Sequence, residues 1–228
     1  MSDTVARRRV LLVGATGVVG TECLRQLAAD DSVALVRALV RRPLADAPAK
    51  VEVVVTDMRT IESHPEFFAV DQVVCALGTT IKVAGSPAAF RAVDYELPLR
   101  VAQLARAQGA THFLLVSALG ASTASGVFYN RVKGELEDAL GALGFRSLTI
   151  ARPSLLLGDR AEFRLGERIA QPFGFLIPPR WKPVHARQVA AALVSAGRQD
   201  LAGRCVIENI ALRRHCGGTE PSALPRPF

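Results

Sequence analysis

Aromatic residues make up only 6% of the 228 residues, with one Trp and two Tyr, and only four of the 28 basic residues are Lys. So few rings leave no stacking motif of the kind RNA-binding sheets use. The Arg residues are scattered, so the formal net charge of +7 reads as a solvated basic surface suited to anionic ligands, and nucleic acid is not expected as a partner. No apolar run approaches the ~18–20 residues a bilayer crossing needs. The polar start, residues 1–9, leads into no signal peptide with a cleavage site, and a cytoplasmic location is expected. The four cysteines (Cys23, Cys75, Cys205, Cys216) show no CxxC or other metal spacing. The four histidines (His64, His112, His185, His215) fall in no metal or catalytic pattern, so no metal is expected. Cys23 and Cys75 lie on apolar faces, where a thiol acts as a small hydrophobe. With 50% hydrophobic and 21% charged residues, a packed core is expected and a disordered chain is excluded.

What the chain does have is an alternation of apolar β-like runs with amphipathic helical stretches, the pattern of a parallel sheet covered by helices. Strands are expected at 10–13, 33–40, 51–55, 71–77, 113–117 and 147–151. Helical spacing runs through 16–29, where Val18, Val19, Cys23, Leu24 and Leu27 recur, and through 87–108 and 129–143. Gly109 and Gly144 stand where helix C-caps belong. Pro98 is expected to kink its helix or to open a fresh first turn. Beyond Pro153 the pattern loosens: 163–170 reads as helix, 186–196 as a small-residue helix and 204–207 as a last strand. No repeat or low-complexity linker divides the chain. One domain is expected over 1–212, with a tail at 213–228 whose Gly and Pro residues follow no period and should be mobile.

The first strand runs into Gly14-Ala15-Thr16-Gly17-Val18-Val19-Gly20. Gly14 permits a tight turn, Gly17 lets backbone N–H groups approach a pyrophosphate, and Gly20 lets helix and strand pack closely; the helix N-terminus adds partial positive charge. The strand–turn–helix context at the head of an alternating β/α chain separates this turn from a merely structural one. At the end of the second strand, where a carboxylate would hold the ribose 2′-hydroxyl of NAD, stand Arg41 and Arg42. Two guanidiniums suit a 2′-phosphate, so NADP(H) is the preferred cofactor, with NAD(H) as the lesser one. The competing reading is that they are solvated loop residues.

Tyr129 and Lys133 form a YxxxK pair, which a helix places on one face. An ammonium beside a phenol favours the phenolate, as a general acid/base at neutral pH needs. Ser117 ends the fifth strand twelve residues earlier, where strand ends face a ligand crevice, and its hydroxyl can hold a carbonyl oxygen. Ser117, Tyr129 and Lys133 are thus the catalytic candidates.

The glycine turn, Cys75 to Thr80 (CALGTT), Val116 to Ala121 (VSALGA), the YxxxK pair and Arg152 to Arg160 (RPSLLLGDR) together resemble an atypical branch of the short-chain dehydrogenase/reductases. That branch is the HIV Tat-interacting oxidoreductase-like family with its fungal and bacterial relatives, and the likeness spans roughly 8–210. The resemblance implies a doubly wound Rossmann-type α/β fold, a parallel sheet with helices on both faces and a small C-terminal substrate lobe at about 154–183. It places Asp57 and Met58 at the adenine, Leu77, Gly78 and Thr79 along the cofactor, and Pro153 and Leu155 beside the nicotinamide. Asp94 falls where the main branch has an Asn that completes a proton relay; it is expected to be a helix-surface acid. The activity implied is hydride transfer to or from a small carbonyl or alcohol substrate. The alternatives are a cofactor-binding sensor or interaction protein with little turnover, and sugar-nucleotide epimerase- or dehydratase-like chemistry. Phe163, Phe173, Phe175, Ile177 and Trp181 are candidates for an apolar pocket wall, for core or for an oligomer contact, so a homo-oligomer stays open.

Overall fold

The computed structural model describes residues 7–157 and 178–215. The short Val/Leu/Ile runs form strands β1 (Arg8–Val13), β2 (Val33–Val40), β3 (Val51–Val55), β4 (Gln72–Cys75), β5 (His112–Val116), β6 (Ser147–Arg152) and β9 (Gly203–Glu208). They make one parallel seven-stranded sheet in the order β3-β2-β1-β4-β5-β6-β9. Two-residue strands β7 (Leu156–Leu157) and β8 (Val184–His185) pair separately. The chain crosses from the β1–β3 half to the other half between β1 and β4, the switch point at which open α/β sheets bind ligands.

Helices on both faces explain why the central strands are apolar throughout rather than alternating. Along β1, Val10 and Leu12 face a core shared with α1 (Val18–Ala29) and α6 (Ala186–Gln199). Leu11 and Val13 face the opposite core, shared with α4 (Leu97–Ala107) and α5 (Phe128–Gly141). In β5, Leu114 and Val116 take the first side, Phe113 and Leu115 the second.

The helix expected over 87–108 is three pieces in succession: α3 (Pro87–Arg91), a π-helical turn (Ala92–Glu96) and α4, preceded by the single turn α2 (Ile81–Ala84). Pro98 has no N–H to give the carbonyl of Asp94 four residues back, and the widened turn sits at that point. The chain from Arg213 on was expected to be mobile, yet its first residues are held: Arg213 N–H donates to Asn209 O of the turn α7 (Asn209–Leu212), and His215 is buried. The expected helix 163–170 and most of the substrate lobe lie outside the described residues, as does Cys216.

Candidate cofactor and catalytic site

The glycine turn is built for close approach. Gly14 has φ +85°, and a Cβ there would lie 2.6 Å from the Ala76 carbonyl at the end of β4; a Cβ at Gly20 would lie 1.9 Å from Gly14 O. Gly17 caps α1 in extended conformation with no side chain over the helix's first N–H groups, and the first turn, beginning with Val18 and Val19, carries no acid. Thr21 Oγ1 donates to Ala15 O at 3.2 Å and Gly17 O at 2.9 Å, bracing the turn from behind. Thr16 is exposed at its crest. The result is a cradle of helix N–H donors that any side chain would fill, which fits an anionic pyrophosphate.

Arg41 and Arg42 are exposed just past β2 and make no ion pair among the described residues. Asp57 Oδ1 accepts Arg59 N–H at 3.0 Å, leaving its second oxygen outward, while Met58 packs on the core. Past β4, Leu77 packs on the second core and Gly78 is exposed; Thr79 N–H donates to Asp94 Oδ2 at 2.9 Å.

Asp94 is fully buried, contrary to the surface acid expected. The π turn carries it inward, and its Oδ1 forms an ion pair with Lys133 Nζ at 2.7 Å. Burial by itself pushes the Lys133 ammonium down, but the Asp94 carboxylate, with help from Tyr129 and Cys75, outweighs it and holds the group above the ordinary lysine value. One turn earlier on α5, the Tyr129 ring packs against Phe90 of α3 at 5.4 Å. Beneath them, burial pushes the Cys75 thiol up to about 11, an inert sulfur.

Ser117 is buried at the end of β5, and its Oγ donates to Glu137 Oε1 at 2.5 Å. Glu137, one turn beyond Lys133 on α5, also receives Arg152 Nε at 3.1 Å and Nη2 at 2.6 Å, and Arg204 at 3.4 Å. The Glu137 hydrogen bond leads the effects that hold the Arg152 guanidinium above its ordinary value, against the pull of burial. The structure thus joins Tyr129, Lys133 and Asp94, and ties Ser117 to Glu137. Glu137 was missed, although an acid four residues after Lys133 amid Val132, Leu136 and Leu140 was a signal in plain view. Pro153 is buried and accepts Leu119 N–H at 2.8 Å; Leu155 is exposed beside it. Among the described residues no group of His, Cys, Asp and Glu could hold a metal.

Residues 14–196 match a family described as NAD(P)H-binding. The chain belongs to the NAD(P)H-binding Rossmann family. Protein HTATIP2 of Rattus norvegicus is 34% identical over 190 residues, 82% of this chain and 78% of that one. Protein FMP52 of Eremothecium gossypii, named as mitochondrial, is 39% identical over 158 residues, 68% of this chain and 70% of its own. MoeE5, solved with UDP-glucuronic acid and NAD, shares the fold at a TM-score of 0.70 and 17% identity over 88% of this chain and 76% of that one. The cytoplasmic location expected from the N-terminus is overturned by these relatives, since several fungal FMP52 proteins are named as mitochondrial.

Proposed function

We propose that the protein is an NADP(H)-dependent oxidoreductase of the short-chain dehydrogenase/reductase type, acting on a small carbonyl or alcohol substrate. The observation that carries this reading is the buried Asp94–Lys133 pair one helical turn from Tyr129, at the switch point beside the glycine cradle.

When bound, the nicotinamide cofactor supplies or accepts the hydride. Gly14, Thr16, Gly17, Val18, Val19 and Gly20 would hold its pyrophosphate, Arg41 and Arg42 its 2′-phosphate, and Asp57 and Met58 its adenine. Leu77, Gly78, Thr79, Pro153 and Leu155 would line the rest. Tyr129 exchanges the proton of the substrate oxygen through its phenolic O–H. Lys133, steadied by Asp94, keeps positive charge near that phenol and has donors left for ribose hydroxyls. Ser117 anchors the substrate oxygen by turning its hydroxyl away from Glu137, a rotation about one bond that leaves Glu137 its Arg152 and Arg204 donors.

Tyr129→Phe is expected to abolish turnover while leaving NADPH affinity within a few fold, read by NADPH oxidation across aldehydes, ketones and quinones beside fluorescence titration of the cofactor. Wild-type turnover in that variant on any substrate removes the acid role. The Ser117–Glu137 bond favours a second reading, a cofactor-binding sensor with little turnover, because the serine's only proton is already held. Failure of the whole substrate screen with tight NADPH binding would select it.

A further inference from the structure

The large apolar side chains left in solvent are not spread evenly. Ile81, Val83, Val127, Leu155, Trp181 and Ile210 are six of the eight exposed ones among the described residues. All six belong to the segments that follow β4, β5, β6 and β9 or are fastened to them, so they share the C-terminal edge of the sheet, around the mouth of the site. Val83, the first residue one would expect a monomer to cover, is 76% exposed. Single exposed hydrophobes mean little, but an apolar rim gathered on one edge marks a contact surface.

Trp181 does not dangle on a free loop. Its 3-10 turn (Pro179–Trp181) is held by three hydrogen bonds from two side chains: Asn209 Nδ2 donates to Arg180 O at 3.0 Å and Lys182 O at 2.8 Å, and Ser154 Oγ donates to Lys182 O at 2.7 Å. The ring is thereby presented outward at 51% exposure with the Arg180 guanidinium 5.7 Å from its centroid.

Among the described residues, the part of this edge that follows β4, β5, β6 and β9 is mainly basic. Segments 76–93, 117–134, 153–157, 178–199 and 209–215 contain no Asp or Glu beyond these bounds' buried neighbour Asp94, yet they carry Lys82, Arg180, Lys182, Arg213 and Arg214. Glu208, at the end of β9, is bound by Arg152 at 3.1 Å, and the exposed Asp57 lies past β3 on the other half of the edge. Aliphatic side chains, an indole at the boundary and cations without nearby acids are together what an anionic bilayer surface selects: the indole sits at headgroup depth, the aliphatics enter the acyl boundary, and Lys and Arg meet the lipid charge. A nucleic acid would use stacked rings and gain nothing from Val83, Val127 or Ile210.

We propose that the C-terminal edge of the sheet is a docking surface for an anionic lipid bilayer, with Trp181 as its interfacial anchor, so that the mouth of the site opens toward the membrane. This surface is independent of whether the site turns over a substrate.

The chain's single Trp makes the test direct, because all indole emission comes from Trp181. The full chain is mixed with vesicles of phosphatidylcholine alone and of equal parts phosphatidylcholine and phosphatidylglycerol, following emission and co-sedimentation. The expected result is a blue shift and pelleting with the anionic vesicles, about tenfold or more weaker on neutral ones and weakened by added salt. Val83→Asp with Val127→Asp, and separately Arg180→Glu with Arg214→Glu, should each lower vesicle binding by about tenfold or more while NADPH titration stays at the wild-type value, which also reports that the variants fold. Unchanged emission with the protein left in the supernatant, equal binding to both vesicle types, or tighter binding to single-stranded poly(U) than to anionic vesicles overturns the proposal.

Discussion

Taking the Lys133 ammonium out of water costs several kcal/mol unless a partner compensates it, and Asp94 is placed to do so. Asp94→Ala leaves that charge buried and alone, so a loss of about 3–5 kcal/mol in unfolding free energy is expected by urea titration. Asp94→Asn should lose somewhat less, since its amide oxygen can still accept from one of the two donors, Thr79 N–H or Lys133. Equal losses in the two variants would assign the whole effect to the charge, whereas a loss below about 1 kcal/mol in Asp94→Ala would end the compensation argument. At the other end of the cofactor, each guanidinium–phosphate contact is charge-assisted and contributes on the order of 1.5–3 kcal/mol. Arg41 and Arg42 are exposed and screened, so a preference for NADPH over NADH of roughly ten- to a few hundredfold is expected. Replacing both with Ala should erase most of it and barely change NADH affinity, because NADH has no 2′-phosphate to lose. Equal wild-type affinities for the two cofactors would end this reading.

At the scale of elements, His112 at the head of β5 shows how a buried ring couples strands to pH. Its Nδ1 lies 2.8 Å from Asp200 Oδ1 past the end of α6 and its Nε2 2.9 Å from Thr149 Oγ1 of β6. Burial pushes the imidazole down to about 4, against the pull of Asp200. The unfolded chain takes up this proton near pH ~6.5 and the folded one does not, so the unfolded state binds more protons between those values. Stability is therefore lost as pH falls through that window, by on the order of 2–3 kcal/mol from this ring. His112→Gln should flatten that part of the pH–stability curve in chemical denaturation; an unchanged slope would show that other groups carry it. The strands were legible because Val, Leu and Ile runs such as those of β1 and β5 have only one use in a chain this alternating, and the glycine turn and the YxxxK pair carry their spacing openly. The π turn was not, since residues 92–96 keep an ordinary helical pattern and only the missing N–H of Pro98 hints at the irregularity. Nor was the burial of Asp94, which depends on a lysine far along the chain, or strands β7 and β8, which are too short to show a period.

For the molecule as a whole, a cofactor that binds only the folded state must stabilise it in proportion to its occupancy. NADPH at a hundredfold over its dissociation constant adds about 2.7 kcal/mol, which for a domain of this size should raise Tm by roughly 5–10 °C. No shift at saturating NADPH would mean that the glycine cradle is closed to it. The two cores differ in how they are assembled along the chain. The face of α1 that buries Val19, Cys23 and Leu27 is covered by α6, whose first residue is Ala186, and Gln26 Nε2 reaches across to Arg187 O at 3.1 Å. During vectorial synthesis on the ribosome, α1 therefore emerges early and stays uncovered until most of the polypeptide has been made. Nascent chains stalled before that point display an apolar helix to chaperones and proteases, whereas completed ones hide it at once, so α6 acts as the checkpoint by which the cell tells a finished copy from a broken one.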